Sequence, residues 1–339
     1  MNVAALIKSR EPQWQELEWY LTLLGSGFGK SKLSAEQVAR FTALHRAVCA
    51  DLALCRSYRM PPGIIKYLND LVGRSHNRLY RDQTVTFYSW MRMIFFEAPQ
   101  RIFCDRTFWT AMFIFWGPFL FCAVWAANSP EFAPKIVGQE VLDTLEGQFE
   151  FGFSEMDFNQ RLIAVGVYIK HNAGIGLMCF AMGIMVMIPG MMVTLFNAIH
   201  LGTVFGYMFR SDHSANFFEF VTAHGPFELT AIVLASGAGL RLGFSLIHTR
   251  GLTRSDSIRF AAKETVPIIT VAVILFGMAA FIEAFISPNP MEFTQYLGVT
   301  PMVVKSTIAI ICTFLLIFYI VVLGAMQTLA NKQETESWR

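Results

Sequence analysis

HGPFELTAIVLASGAGLRLGFSLI, residues 224–247, is the stretch on which the reading of the whole chain turns. Pro226 suits the first turn of a helix, where its missing N–H removes no hydrogen bond. Glu228 follows where a carboxylate complements the positive end of the helix dipole, or reaches back as half of a capping box. The apolar run beyond it is about long enough to cross a ~30 Å hydrocarbon layer at ~1.5 Å per residue. Ala231, Ala235, Gly239 and Gly243 recur at every fourth position, so one face of this helix carries almost no side chain. In lipid such a face lets another backbone come close and associate through van der Waals contact. Arg241, near the far end, is costly in hydrocarbon unless it reaches the interface or finds a partner. The stretch reads as a tightly packed membrane helix with polar groups at both ends.

The composition extends this reading to the rest. Of 339 residues, 54% are hydrophobic and 15% charged, and the mean hydropathy is +0.44. Soluble domains carry about 25% charged residues. The apolar runs are continuous, whereas a membrane barrel needs ~10-residue alternating segments. The fold class is therefore all-α, a polytopic helical membrane protein. The six cysteines (49, 55, 104, 122, 179 and 312) form no Cys-x-x-Cys pair and no His-linked metal spacing, so they read as small apolar residues. The first residues lack a charged-then-apolar leader pattern. No phosphate loop, dinucleotide fingerprint, serine elbow or metalloprotease helix is visible, and GSGFGK (25–30) lacks the Gly-Lys-Ser/Thr ending of a phosphate loop. No enzyme activity, cofactor, metal or nucleic-acid partner is expected.

Upstream of the membrane part, residues 1–106 carry 15 Lys and Arg against 9 Asp and Glu. Residues 1–83 read as a cytosolic helical subdomain. Its first helix keeps an apolar period at Trp14, Leu17, Leu21 and Leu24, and GSGFGKSK (25–32) breaks it. A second helix opens on a capping box of Ser34 and Gln37, with Leu33 and Val38 as its staple, and ends before Pro61-Pro62. A third covers about 63–81. Residues 84–106, aromatic and basic with a break at Pro99, suit an interfacial elbow helix. Residues 107–330 form the transmembrane helical bundle and 331–339 a polar tail.

Within the bundle, the apolar run 174–209 is too long for one crossing, and Pro189-Gly190 divides it. The segment 128–170 is acidic, whereas the loop 248–265 holds Arg250, Arg254, Arg259 and Lys263 against Asp256 and Glu264. The positive-inside rule places the second loop in the cytoplasm, which requires an even number of crossings before it. The divided run is then a helical hairpin, and the crossings are about 107–127, 173–188, 190–210, 225–247, 266–287 and 304–328. The first half of the hairpin is short for a full span, which leaves open an earlier start around Leu162 or a partly re-entrant segment. Both termini are expected in the cytoplasm, in a bacterial inner membrane. A second four-residue stripe, Ala198, Gly202 and Gly206, is expected to dock against the 231–243 stripe. Asn172 and Asn197 read as interhelical hydrogen-bond glue.

Under this layout Lys170, His171, Asn172, His224, Glu228, Glu283 and Lys305 fall near one side of the membrane. Intramembrane carboxylates usually face the bundle interior. Two readings stay open. In one, Glu228 and Glu283 pair with His224, His171 or Lys170 in a polar pocket for a partner loop, a small substrate or a cation. In the other, Glu228 caps its own helix and Glu283 bonds a neighbouring Asn or Lys. The potential ligands come from scattered segments without diagnostic metal spacing.

Three of these segments together resemble one family, the stage II sporulation protein M-like integral membrane proteins. They are HGPFELTAIVLASGAGLRLG (224–243), the asparagine helices HNAGIGLMCFAMGI (171–184) and FNAIHLGTVFGYMF (196–209), and FIEAFISP (281–288). SREPQWQEL (9–17) and the helix with Arg46 and Asp51 also resemble the family's cytosolic region. Thr230-Ala231 departs from many relatives, which have a proline there. The resemblance implies a partner of cell-wall-degrading machinery during engulfment, and many relatives occur in bacteria that make no spores. The expected function is a non-enzymatic scaffold that anchors or regulates an envelope assembly, with membrane lipid and envelope proteins as partners and a homo-oligomer as an option. The alternative is a permease or channel subunit, suggested by the interrupted hairpin and the intramembrane acids.

Overall fold

The computed structural model describes residues 3–25, 34–58, 60–79, 87–151, 156–288, 296 and 298–337. Among the described residues there is no strand, and the chain divides into two units, Met1–Thr86 and Phe87–Arg339.

In the first unit α1 (Val3–Gly25), α2 (Ala35–Ser57) and α3 (Pro62–Leu79) close around Trp14, Leu17, Phe41, Leu44, Val48, Leu68 and Leu71. The capping box is formed: Gln37 N donates to Ser34 Oγ at 3.2 Å and Ser34 N donates to the Gln37 side chain at 2.9 Å. Leu33 and almost all of GSGFGKSK lie outside the described residues. Trp14 Nε1 donates to the buried Asp51 at 2.9 Å, with Arg10 beside the same carboxylate. Buried His45 has its Nδ1 2.8 Å from Ser75 Oγ. Burial, with His76 nearby, holds this imidazole below its ordinary value of 6.5.

The second unit opens with α4 (Phe87–Arg92), a π-helical turn (Met93–Glu97) and α5 (Ala98–Cys104). Pro99 lies in the first turn of α5, where it begins a helix, and the turn before it supplies the irregularity. This segment packs on the bundle: Arg101 donates to Lys263 O at 3.0 Å and Tyr319 Oη to Ile94 O at 2.5 Å. Then follow α6 (Arg106–Asn128), the short α7 (Phe132–Val137) and α8 (Gln139–Phe149), α9 (Phe158–Ile184), α10 (Ile188–Met208), α11 (Ser214–Val221), α12 (Gly225–Ile247) and α13 (Arg254–Phe285). The last span is α14 (Pro301–Ile317), continued through a π-helical turn (Phe318–Leu323) into α15 (Gly324–Ser337). Among the described residues six helices are long and apolar enough to cross a membrane, namely α6, α9, α10, α12, α13 and the α14–α15 rod.

Two boundaries differ from the sequence expectation. The second crossing starts at Phe158 rather than 173, because Asp157 and Gln160 form a capping box that starts a 27-residue helix. The hairpin bends at Val186 and Met187, whose φ angles are 58° and 71°, and not at Pro189-Gly190. Pro189 instead occupies the first turn of α10.

α12 is the bundle's centre. In its most apolar stretch 72% of residues are buried, against 22–50% in the other five spans. Its bare face does not meet the α10 stripe. A Cβ on Gly239 would lie 2.3 Å from Phe180 O, and one on Gly243 2.2 Å from Gly183 O, so the partner is α9. The α10 stripe meets α6 instead: Cβ atoms on Gly202 and Gly206 would approach Phe119 O and Ala123 O to 2.2 and 2.1 Å. Ala198, Ala231 and Ala235 are buried in the same core. α9 meets the α12 face with a glycine of its own, Gly183, whose Cβ would lie 2.6 Å from Gly239 C, so bare backbone meets bare backbone there. α10 and α12 touch through a hydroxyl pair, Thr194 Oγ1 and Ser236 Oγ, at 2.6 Å. Asn197 is not interhelical glue, since its Nδ2 donates to Val193 O of its own helix at 2.8 Å.

Candidate functional site

At the His224 end of α12, five helices and a loop bring polar side chains together. His224 stands at the N-cap position without capping by its side chain, and Glu228 one turn on faces it, with Nε2 and Oε2 3.6 Å apart. Glu228 therefore does not cap its own helix. Glu283, in the last turn of α13, accepts from Asn172 Nδ2 of α9 at 3.0 Å. Ligand atoms of His224, Glu228 and Glu283 all lie within 4.8 Å of one another. His224, Asn172 and Glu283 are 5%, 3% and 7% exposed, so water contributes little screening. Ser287, fully buried beyond α13, holds His224 Nδ1 at 2.9 Å.

The polar chain continues past Ser287. Lys305 of α14 is fully buried and donates to Ser287 O at 2.7 Å and to Glu219 of α11 at 2.8 Å. A cation so deep is tolerated when a carboxylate and further acceptors meet it. Lys170 and His171, expected in the pocket, are exposed on the face of α9 away from Asn172. One turn holds a buried asparagine and an exposed Lys-His pair because consecutive helix positions point ~100° apart. Glu219 and Ser287 were not among the expected site residues: Glu219 lies in a short connecting helix, and Ser287, although inside the segment 281–288, has nothing in the sequence that marks it as a partner of His224.

The Arg241 end is built differently. Arg241 Nη1 donates to Asp105 Oδ2 at 2.6 Å, and Nη2 bonds Glu264 of α13. Asp105 also caps α6, accepting from Thr107 N at 2.8 Å. One guanidinium thus ties α12 to the start of α6 and to α13. It lines a cavity of about 640 Å³ together with Arg101, Arg106 and Arg250. Arg241 was expected to need a partner, but nothing local in the sequence points to Asp105 or Glu264.

Chemically, the His224 end presents one imidazole and two carboxylates converging in a dry space. Among the described residues, no Lys or Arg forms an ion pair with Glu228 or Glu283. Such a set can hold a proton or a cation. The Arg241 end is a closed ion-pair network in which both acids already have their cation.

Comparison with known proteins places this architecture. Residues 4–81 match a domain of unknown function (DUF8413). No curated protein and no solved structure matches the chain. Residues 111–288, which include Asn172, His224, Glu228, Arg241 and Glu283, match the family described as Stage II sporulation protein M. That match covers more than half of the chain, and the protein belongs to the stage II sporulation protein M family.

Proposed function

We propose that this protein is a non-enzymatic scaffold of the bacterial cytoplasmic membrane that anchors or regulates a peptidoglycan-remodelling assembly. Both termini would lie in the cytoplasm, where the N-terminal helices would serve as a docking unit. The observation that carries this reading is the way α12 is locked. Its backbone touches those of α6 and α9 at Gly237, Gly239 and Gly243, with no side chain between to rearrange. Packed cores of this kind resist continuous deformation, which suits a platform better than a moving gate. The family name adds support, and so does an N-terminal unit with its own core, which leaves Trp19 and Tyr58 more than half exposed.

Site-specific photo-crosslinking in cells, from positions 19 and 58, tests the proposal. The expected result is one or a few envelope proteins captured at both positions, with capture from position 19 lost on Tyr58→Glu and capture from position 58 lost on Trp19→Glu. Proteoliposomes showing solute flux that depends on Glu228 would contradict it. That second reading, a permease or channel subunit, draws on the polar chain from Asn172 through Glu283, Glu228, His224 and Ser287 to Lys305 and Glu219.

A further inference from the structure

We infer that His224, Glu228 and Glu283 form a binding site for one divalent cation of the zinc class. Three observations converge on it. The first is geometry: the three ligand atoms lie within 4.8 Å of one another, close enough to share one ion, which zinc would hold at ~2.0–2.2 Å from each. His224 and Glu228, one turn apart on α12, supply two ligands from one helix, and Glu283 supplies the third from α13.

The second is orientation. Ser287 Oγ holds His224 Nδ1 at 2.9 Å, which leaves Nε2 aimed at the carboxylates. A hydroxyl on the far ring nitrogen is the kind of outer contact that sets the tautomer and ring angle of a metal-bound imidazole. Asn172 does the same for Glu283, donating to Oε2 at 3.0 Å. Each protein ligand from a different helix therefore arrives with its own support.

The third is charge. The nearest buried cation along the chain, Lys305, is engaged by Glu219 and by Ser287 O. Two carboxylates taken out of water are neutralised by a proton or by a positive species near both. A divalent ion balances them, and the neutral imidazole completes a mixed nitrogen and oxygen set. Imidazole favours zinc over magnesium or calcium, which take oxygen ligands almost exclusively. With three protein ligands, the fourth position is left for water or a partner's side chain.

The test is titration of the full-length protein in detergent micelles, stripped with chelator, with Zn²⁺ and separately with Mg²⁺. The expected result is one saturable Zn²⁺ per chain that Mg²⁺ does not displace. Glu228→Gln and Glu283→Gln should each weaken it at least tenfold, and Ser287→Ala about 10- to 100-fold through the imidazole. Should a variant fail to accumulate, wild-type protein decides alone: Co²⁺ should give visible bands that stoichiometric Zn²⁺ removes. Absence of saturable Zn²⁺ and Co²⁺ binding to wild type overturns the proposal, and so does binding that the glutamine variants retain in full. A proton shared between the two acids would give that first negative result.

Discussion

The two ends of α12 solve the same problem in opposite ways. At one end Arg241 lies between Asp105 and Glu264, so a single guanidinium meets two carboxylates. At the other, Glu228 and Glu283 meet an imidazole, and among the described residues no Lys or Arg pairs with them. Both clusters tie the same helices, α12 and α13, but the Arg241 end is the wetter, with the Arg241 and Glu264 side chains 23% and 32% exposed. The difference teaches that the Arg241 end is complete as folded, a structural clamp. The His224 end gains from an additional positive species, and that is where a ligand belongs. A useful third case is His45, whose Nδ1 also meets a serine hydroxyl, but whose Nε2 is 3.6 Å from Cys49 Sγ rather than beside a carboxylate.

Breaking the clamp should have the largest effect. Arg241→Ala leaves Asp105, 3% exposed at its side chain, without its cation. Removing one partner of a buried pair costs about 3–5 kcal/mol, so the thermal midpoint of the purified variant should fall sharply. Next comes the rod joining the two ends. Gly239→Ala puts a methyl 2.3 Å from Phe180 O, and α9 must shift; overpacking of this kind costs about 1–3 kcal/mol. Thermal unfolding of that variant, set against Gly277→Ala, where a Cβ meets nothing within 4 Å, checks this directly.

Neutralising the acids at the His224 end should do the reverse of breaking the clamp. In chelator, Glu228→Gln with Glu283→Gln should leave the midpoint unchanged or raise it, because glutamine keeps the shape and removes uncompensated charge. The smallest effect concerns His45. Its folded value lies below its unfolded one, so burial of the neutral ring stabilises the fold fully above ~6.5 and progressively less as pH falls below it. Hydrogen exchange of the full chain should therefore show α2 and α3 losing protection as pH drops from 7 to 5 once intrinsic rates are corrected, and His45→Gln should flatten that dependence. Zn²⁺ should not protect this region, since among the described residues the convergent set of imidazole and carboxylates is that of His224, Glu228 and Glu283.

Much of the fold is legible in the sequence because a membrane span declares itself by length and continuous hydrophobicity. Residues 225–247 come out as predicted to the residue. The second crossing is less legible, since its first half is amphipathic and its start is set by a cap at Asp157. Small-residue stripes say that a backbone comes close, and the Gly239 and Gly243 face does meet one. They do not say whose: every bare face looks alike, and it is the fold that sets Gly183 of α9 against Gly239 and Gly243. At the site, His224, Glu228, Glu283 and Asn172 are visible as polar residues in apolar helices. The six-crossing layout also brings them to one side of the membrane, but it does not say which asparagine meets Glu283, because Asn172 and Glu283 are 111 positions apart. Ser287 falls inside the segment 281–288 without anything there marking its hydroxyl as the partner of His224, and Glu219 and Asp105 sit in a short helix and a cap that carry no motif.

The central claim is the charge imbalance between the two ends of α12, and thermal unfolding in chelator measures it most directly. Three proteins suffice: wild type, Arg241→Ala, and Glu228→Gln with Glu283→Gln. The account predicts a large fall in midpoint for the arginine variant and none for the double glutamine variant, with added Zn²⁺ raising only the proteins that keep both acids. A double glutamine variant that falls as far as Arg241→Ala would mean that the two acids are already satisfied within the fold, and would contradict the account.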